Sequence, residues 1–123
     1  MALYYQSVAS GNWNVTSTWQ SSVGPGGPWS PAGTTPTSAD QTITIMAGTV
    51  VRITTGATID EVVVSPGATL IATANANLTI NNGAAADLII NGTFIDSLYG
   101  AANITFNAGA TWQISAGATI VKC

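Results

Sequence analysis

The sequence predicts an all-β chain, folded as a single-stranded parallel β-helix (a β-solenoid) behind an aromatic N-terminal cap. Three observations predict it. In the stretch from Gly83 to Cys123, glycines at 83, 92, 100, 109 and 117 alternate steps of nine and eight, so every second glycine is seventeen residues on. That period is too short for helical repeats and suits one coil of a β-solenoid. Next, the tetrads Gly56-Ala57-Thr58-Ile59, Gly67-Ala68-Thr69-Leu70, Gly109-Ala110-Thr111-Trp112 and Gly117-Ala118-Thr119-Ile120 share one design. Finally, β-branched Thr, Ile and Val dominate while Lys, Arg and Glu occur once each, a composition that favours strands over helices.

Taken in order, Leu3-Val8 is a short strand candidate, followed by a turn at Gly11-Asn12-Trp13-Asn14 and a second tryptophan at Trp19. Residues 20–40 carry Pro25, Pro28, Pro31 and Pro36 with four glycines, a density that neither a helix nor a central strand tolerates. A connection this long in a compact domain tends to be functional or disordered, and Trp29 at its middle should be pinned against something. From Gln41 the texture changes. Thr42-Ile43-Thr44-Ile45 alternates polar and apolar as a half-buried strand does, and the runs at 50–53, 62–64, 70–71, 78–80, 88–90, 94–95, 104–106, 112–114 and 120–121 follow. The runs fall into two interleaved series with steps of sixteen to nineteen residues, giving coils of at least two strands that pair in parallel. Glycine belongs at the corners, where φ is positive. Asn75, Asn91 and Asn107, sixteen apart, would form a ladder at one corner. The whole of 1–123 reads as one domain, with the cap and Pro/Gly-rich loop at 1–40 and four to five coils at 41–123. Trp13 and Trp19 would plug the N-terminal end and Trp112 would fill the core. The far end stops within a strand pattern at Ile120-Val121, which calls for a cover or a second copy.

Composition excludes several functions. Hydrophobic residues reach 46% and charged residues only 6%, yet no apolar run approaches the roughly 18–20 residues of a membrane-spanning helix, so membrane insertion is not expected. The net charge of −3 leaves no basic groove for nucleic acid. Arg52 and Lys122 are the only fixed cations, too few for a polybasic membrane anchor. Cys123 is the single cysteine, so no internal disulfide can form, and it reads as the point where a longer protein was cut or as an added handle. Met1-Ala2 leads into Leu3-Tyr4-Tyr5 without the charged and apolar regions of a signal peptide, although the Thr/Asn/Gly-rich composition looks extracellular.

Gly11-Asn12-Trp13-Asn14, Ser17-Thr18-Trp19 and Pro36-Thr37-Ser38-Ala39-Asp40 followed by Thr42-Ile43 carry a resemblance. They resemble the opening module of many secreted and surface bacterial proteins, often exported by the type IX route. The chain is similar there to the extracellular domain family named for its eight glycines, and to right-handed parallel β-helices. The resemblance covers about residue 7 to the end; the loop at 20–35 is longer and richer in proline than the pattern. It implies a right-handed solenoid, secreted or at the cell surface, with a structural, adhesive or glycan-binding role in a larger protein. No catalytic residues carry over.

The residues that could carry chemistry agree with a non-enzymatic reading. Asp40, Asp60, Glu61, Asp87 and Asp96 are the only acids and there is no histidine. Asp60 and Glu61, adjacent on a strand, would point to opposite faces, and Asp87 and Asp96 belong to different strand starts, so the acid–base pair of a glycosidase is not expected. Calcium at a corner through Asp40 or Asp96 would need an Asp-rich loop that is absent; no metal and no cofactor are expected. Trp29, with Trp13 and Trp19 behind it, is the candidate for stacking on sugar rings. Thr42, Thr44 and the tetrad threonines face outward but lack the strict Thr-x-Thr repeat of an ice-binding face. Asn14, Asn77, Asn91 and Asn103 head N-x-Thr sequons. Asp96-Ser97-Leu98 matches the short bacterial O-glycosylation pattern, which makes Ser97 a candidate modification site. The partners expected are glycans, or another copy of the chain stacking end to end through its open C-terminal coil.

Overall fold

The computed structural model describes residues 3–37, 39–54, 56–73, 78–81, 87–96 and 104–122. Two short strands, β1 (Tyr4–Ser7) and β2 (Gly11–Asn12), are followed by a 3₁₀ turn at Thr16–Thr18. Then come β3 (Trp19–Ser22) and, beyond the proline-rich segment, β4 (Ser30–Pro31). The remaining strands are β5 (Ile43–Ile45), β6 (Val50–Ile53), β7 (Ala57–Ile59), β8 (Val62–Val64), β9 (Thr69–Ala72) and β10 (Leu78–Ile80). They continue with β11 (Leu88–Ile90), β12 (Thr93–Asp96), β13 (Ile104–Phe106), β14 (Trp112–Ile114) and β15 (Thr119–Lys122).

From β5 onward the chain visits three sheets in fixed rotation. β5, β8, β11 and β14 pair in parallel in the first sheet; β6, β9, β12 and β15 do so in the second; β7, β10 and β13 form the third. β1 and β2 extend the first and second sheets, parallel to β5 and β6. β3 then lies antiparallel on the outer edge of β1, and β4 antiparallel on β3. The protein is thus all-β, and its sheets are parallel except at this one edge. They remain open and do not close into a barrel.

Alternation explains why these residues are strands. In β5, β8, β10 and β11 the first and third residues are buried and the middle one is half-buried. Register then stacks like on like. Ile43, Val62 and Leu88 superpose in the first sheet, Val51, Leu70 and Phe94 in the second, and Ile59 and Ile80 in the third, all buried. Between the second-sheet strands and those of the first, Gly48, Gly67 and Gly117 turn the corner with φ of 86°, 84° and 89°, as their recurrence predicts.

The circuits are longer than the sequence spacing predicts. Ile43, Val62, Leu88 and Trp112 are register partners in turn, at separations of 19, 26 and 24 residues. Each full circuit has three strands, so the series of sixteen to nineteen runs across sheets: the runs beginning at 62, 78 and 94 lie in the first, third and second sheet. The four tetrads likewise fall in all three sheets, so they report strand spacing and not circuit length. Polar corner contacts follow the true circuit. Asn107 donates through Nδ2 to Asn81 Oδ1 at 2.9 Å, and the Ser115 hydroxyl bonds Asn91 Oδ1. Asn91 and Asn107 therefore do not belong to one ladder, and Asn75 lies outside the described residues.

Leu88 stands between β8 and β14 in the buried column, whereas Thr58 is exposed. Leu88→Ala should cost about 2–5 kcal/mol, the range for truncating a buried aliphatic side chain. Thr58→Ala should change stability by less than about 0.5 kcal/mol, as surface substitutions do. Chemical denaturation compares them; equal losses would mean that the inward and outward positions are misassigned.

Candidate functional site

The tryptophans of the opening motif are used up by the cap. Trp13 is 5% exposed and Trp19 1% exposed. The Trp13 indole N–H donates to the carbonyl of Pro36 at 3.1 Å, and that of Trp19 to the carbonyl of Trp13 at 2.8 Å. Their rings meet edge to face with centroids 5.1 Å apart, and Tyr5 meets Trp19 in the same way at 6.2 Å. Buried indoles with satisfied N–H groups are the expected state of structural tryptophans. The smaller motif residues serve the same lock. A Cβ on Gly11 would lie 2.6 Å from Thr18 Oγ1, the hydroxyl that donates to the Asn12 carbonyl at 3.0 Å.

The Pro36–Asp40 box is a latch. Asp40 Oδ1 accepts the backbone N–H of Leu3 at 3.1 Å, while Oδ2 accepts the N–H and hydroxyl of Thr37 at 2.8 and 3.1 Å. Gln41 N–H returns to the Leu3 carbonyl at 2.9 Å. The start of β1 is thereby tied to the end of the proline-rich segment, with Pro36 supplying the acceptor for Trp13. Asp40 is thus engaged with the backbone, where the sequence reading considered a calcium corner.

Trp29 stands apart from the other two. It is half-buried over the outer side of the first sheet, beside an open cleft of ≈ 280 Å³ bordered by Tyr4, Gln6, Pro25, Thr42 and Thr44. Among the described residues its indole N–H finds no protein acceptor. The structure therefore brings together Trp29 and the outward threonines of the Thr42-Ile43-Thr44-Ile45 alternation, a grouping not visible in the sequence because Tyr4 and Gln6 arrive from β1. Trp13 and Trp19 do not join it. Ser97 lies outside the described residues, as do Asn77 and Asn103. Of the remaining sequons, Asn14 is exposed and Asn91 is engaged with Ser115. Trp112, expected in the core, is 43% exposed: it occupies the inward position above Leu88, but no circuit covers it, and it packs on Phe106 at 5.3 Å.

Two carboxyls that the sequence reading kept apart are in contact. Asp60 and Glu61 form the two-residue corner between β7 and β8 and do not lie on a strand; Glu61 takes φ of 54°. Asp87 precedes β11 directly above that corner. Asp60 is 7% exposed and Asp87 0%. Asp87 Oδ2 accepts the Thr111 N–H at 2.8 Å, and its carbonyl accepts the Val62 N–H at 3.1 Å. Asp60 hydrogen-bonds the Asp87 side chain, while its Oδ1 is buried without a partner among the described residues. Burial first, then the hydrogen bond and charge of Asp87 and the charge of Glu61, raise the Asp60 carboxyl from 3.8 to about 6. The only sequence signal for this pair was a carboxylate immediately before a strand. Its partner lies one 26-residue circuit back, outside the assumed spacing. Asp96 occupies a buried position in register with Ala72. Among the described residues no three His, Cys, Asp or Glu side chains are grouped to hold a metal ion.

No protein-family model, curated protein or solved structure matches this chain.

The Asp60–Asp87 pair sets a pH dependence with a definite sign. Asp60 binds its proton more tightly folded than unfolded, so the stabilisation is present below the ordinary carboxylate value and is lost as pH rises through about 6. Thermal melts should therefore give a higher Tm near pH 4.5 than near pH 7.5, with a slope of up to about 1.4 kcal/mol per pH unit between the two pKa values. Asp60→Asn, which can donate to Asp87 at every pH, should flatten that dependence. An unchanged slope in Asp60→Asn would assign the effect elsewhere.

Proposed function

We propose that this chain is a right-handed β-solenoid module, non-catalytic, that closes the N-terminal end of a larger secreted or surface-exposed bacterial protein and serves it as a structural and adhesive unit. The observation that carries the reading is the inequality of the two ends of the sheet stack. At one end β3 and β4 cover the edge of β1, and Trp13, Trp19 and Tyr5 seal the core. At the other, Phe106, Trp112, Ile114, Ile120 and Val121 are 38–49% exposed on the last circuit. Trp112, Ile114 and Ile120 continue the buried positions of Leu88, Ile90 and Phe94, so the far end has the chemistry of a core layer awaiting its next layer. The three-strand rotation, the positive-φ corners and the motif residues locked into the cap support the solenoid and the resemblance to the secreted bacterial modules.

The non-catalytic part rests on the carboxyls. Asp60 and Asp87 face each other inside a corner, and neither lines the Trp29 cleft or the clefts beside Trp13 and Trp19. Those clefts contain no carboxylate, histidine or lysine.

The exposed last circuit also favours a second reading, self-association of the chain through that end. Because the N-terminal edge of the first sheet is covered, this would join two open ends and not build a fibre. Two variants separate the readings. Duplicating residues 97–122 after Lys122 adds a further circuit in register; it should raise Tm and shift Trp112 fluorescence to the blue. Ile120→Lys with Val121→Lys should abolish any concentration-dependent sedimentation without unfolding the chain. No gain in Tm from the added circuit would overturn the stacking role of that end.

A further inference from the structure

We propose that the cleft under Trp29 is a binding site for a neutral saccharide. The inference uses the cap and not the open end, so it stands or falls separately from the stacking role. The clefts beside Trp13, Trp19 and Trp29 are not alike. Beside Trp13 and Trp19 the rings are buried and both indole N–H groups are spent on backbone carbonyls. Beside Trp29 the indole is half-exposed and its N–H has no protein acceptor among the described residues. The indole edge lies against Gly27, whose φ of 97° favours glycine: a Cβ there would come 3.0 Å from Trp29 Cδ1 and 3.3 Å from Nε1. β4, pinned to β3, follows at Ser30.

The other walls supply hydroxyls beside the apolar Pro25 and Met46. Tyr4 and Gln6 stand on β1, and Thr42 and Thr44 lead into and lie on β5, which pairs with β1. Tyr5, pointing the other way, is tied by its hydroxyl to Thr34 at 2.7 Å, whereas the hydroxyls of Tyr4, Thr42 and Thr44 have no protein partner among the described residues. Gln6, which also lines the cleft, donates through Nε2 to Gln20 at 3.0 Å. A half-exposed indole with its donor unspent, beside several unpartnered hydroxyls, matches a sugar ring, which offers an apolar face and a rim of hydroxyls. No charged residue lines the cleft and the whole chain carries −3, so an anionic glycan is disfavoured. At ≈ 280 Å³ the cleft falls just below the roughly 300–1,000 Å³ typical of ligand pockets, which suits one or two sugar rings of a longer chain. A peptide adding itself as a strand is not accommodated, because β3 already covers the outer edge of β1.

Affinity electrophoresis tests the proposal, using gels containing laminarin, mannan or xyloglucan as neutral polymers and polygalacturonate as the anionic one. The wild-type chain should be retarded by at least one neutral polymer and not by polygalacturonate. Trp29→Ala should weaken that retardation at least about tenfold, as truncation of a binding tryptophan does. Thr44→Arg, which fills the cleft while keeping the indole, should weaken it similarly. Thermal melts accompany each variant; if Trp29→Ala lowers Tm, Thr44→Arg decides. Trp13→Phe, changed within the cap, should leave binding intact. Absence of retardation in all three neutral polymers, undiminished retardation of Trp29→Ala and Thr44→Arg, or stronger retardation by polygalacturonate would each overturn the assignment.

Discussion

Backbone hydrogen bonds in this chain run from one circuit to the next. The N–H of Ile43 donates to the carbonyl of Glu61, that of Val62 to Asp87, and those of Asp87 and Leu88 to Thr111. A single circuit has no internal ladder, so from β5 onward successive strands of each sheet pair across 19–26 residues. That requirement fixes everything inside the sheets. Parallel register places an inward residue over an inward residue, and a slip by one would turn Leu88 and Ile90 to solvent and bring Ile89 into the core. The corners vary more: Gly48 N–H still bonds the Gly67 carbonyl at one of them, but the third-sheet corners differ in length from circuit to circuit. The corner between β7 and β8 takes two residues, Asp60 and Glu61, while the equivalent connection between β10 and β11 spans 81–87.

Where corners differ in length, polar groups can be caught between layers. Asp60 turns inward from the short corner and finds Asp87 of the next circuit, whose own carboxylate is held by the Thr111 N–H of the circuit after. Two facing carboxyls in a buried corner share a proton more readily than they both ionise. The pair is therefore most favourable in the stack with Asp60 protonated, and its cost appears as pH rises through about 6 and that proton leaves. Nothing about either residue alone requires this; it arises from the layer spacing imposed by the ladders.

The same freedom at the corners explains what was legible in the sequence. Strand identity depends on local pattern, and the alternation of Thr42-Ile43-Thr44-Ile45 and the β-branched run Val62-Val63-Val64 displayed it plainly. The opening tryptophans were legible as an end seal because they cluster in the first forty residues and meet one another and Tyr5, whereas the Trp13 bond to Pro36 spans 23 residues and was not. Circuit length was not legible. With corners ranging from two residues to seven, no fixed period exists, and tetrads that recur in every sheet mimic a shorter one. The Asp60–Asp87 contact was hidden for that reason. Trp112 was assigned to the core correctly by position, since it stands over Leu88, yet burial needs a layer above as well as below.

These constraints also determine where a ligand could be recognised. Inside the stack, each inward side chain answers to the layers above and below it, and each outward strand position is flanked by its equivalents on the neighbouring circuits. A distinctive group of side chains is hard to place on such a surface. The cap escapes the rule. β3 and β4 run antiparallel, and the proline-rich segment between them owes nothing to the register of the sheets. There the chain can hold an indole over the outer face of β1 and β5 and leave its N–H, together with the hydroxyls of Tyr4, Thr42 and Thr44, without protein partners among the described residues. Trp13 and Trp19 meet the demand for a sealed end, and Trp29, a few residues on, is exempt from it. Trp29 is thereby an aromatic side chain at the covered end whose polar edge meets no protein partner among the described residues.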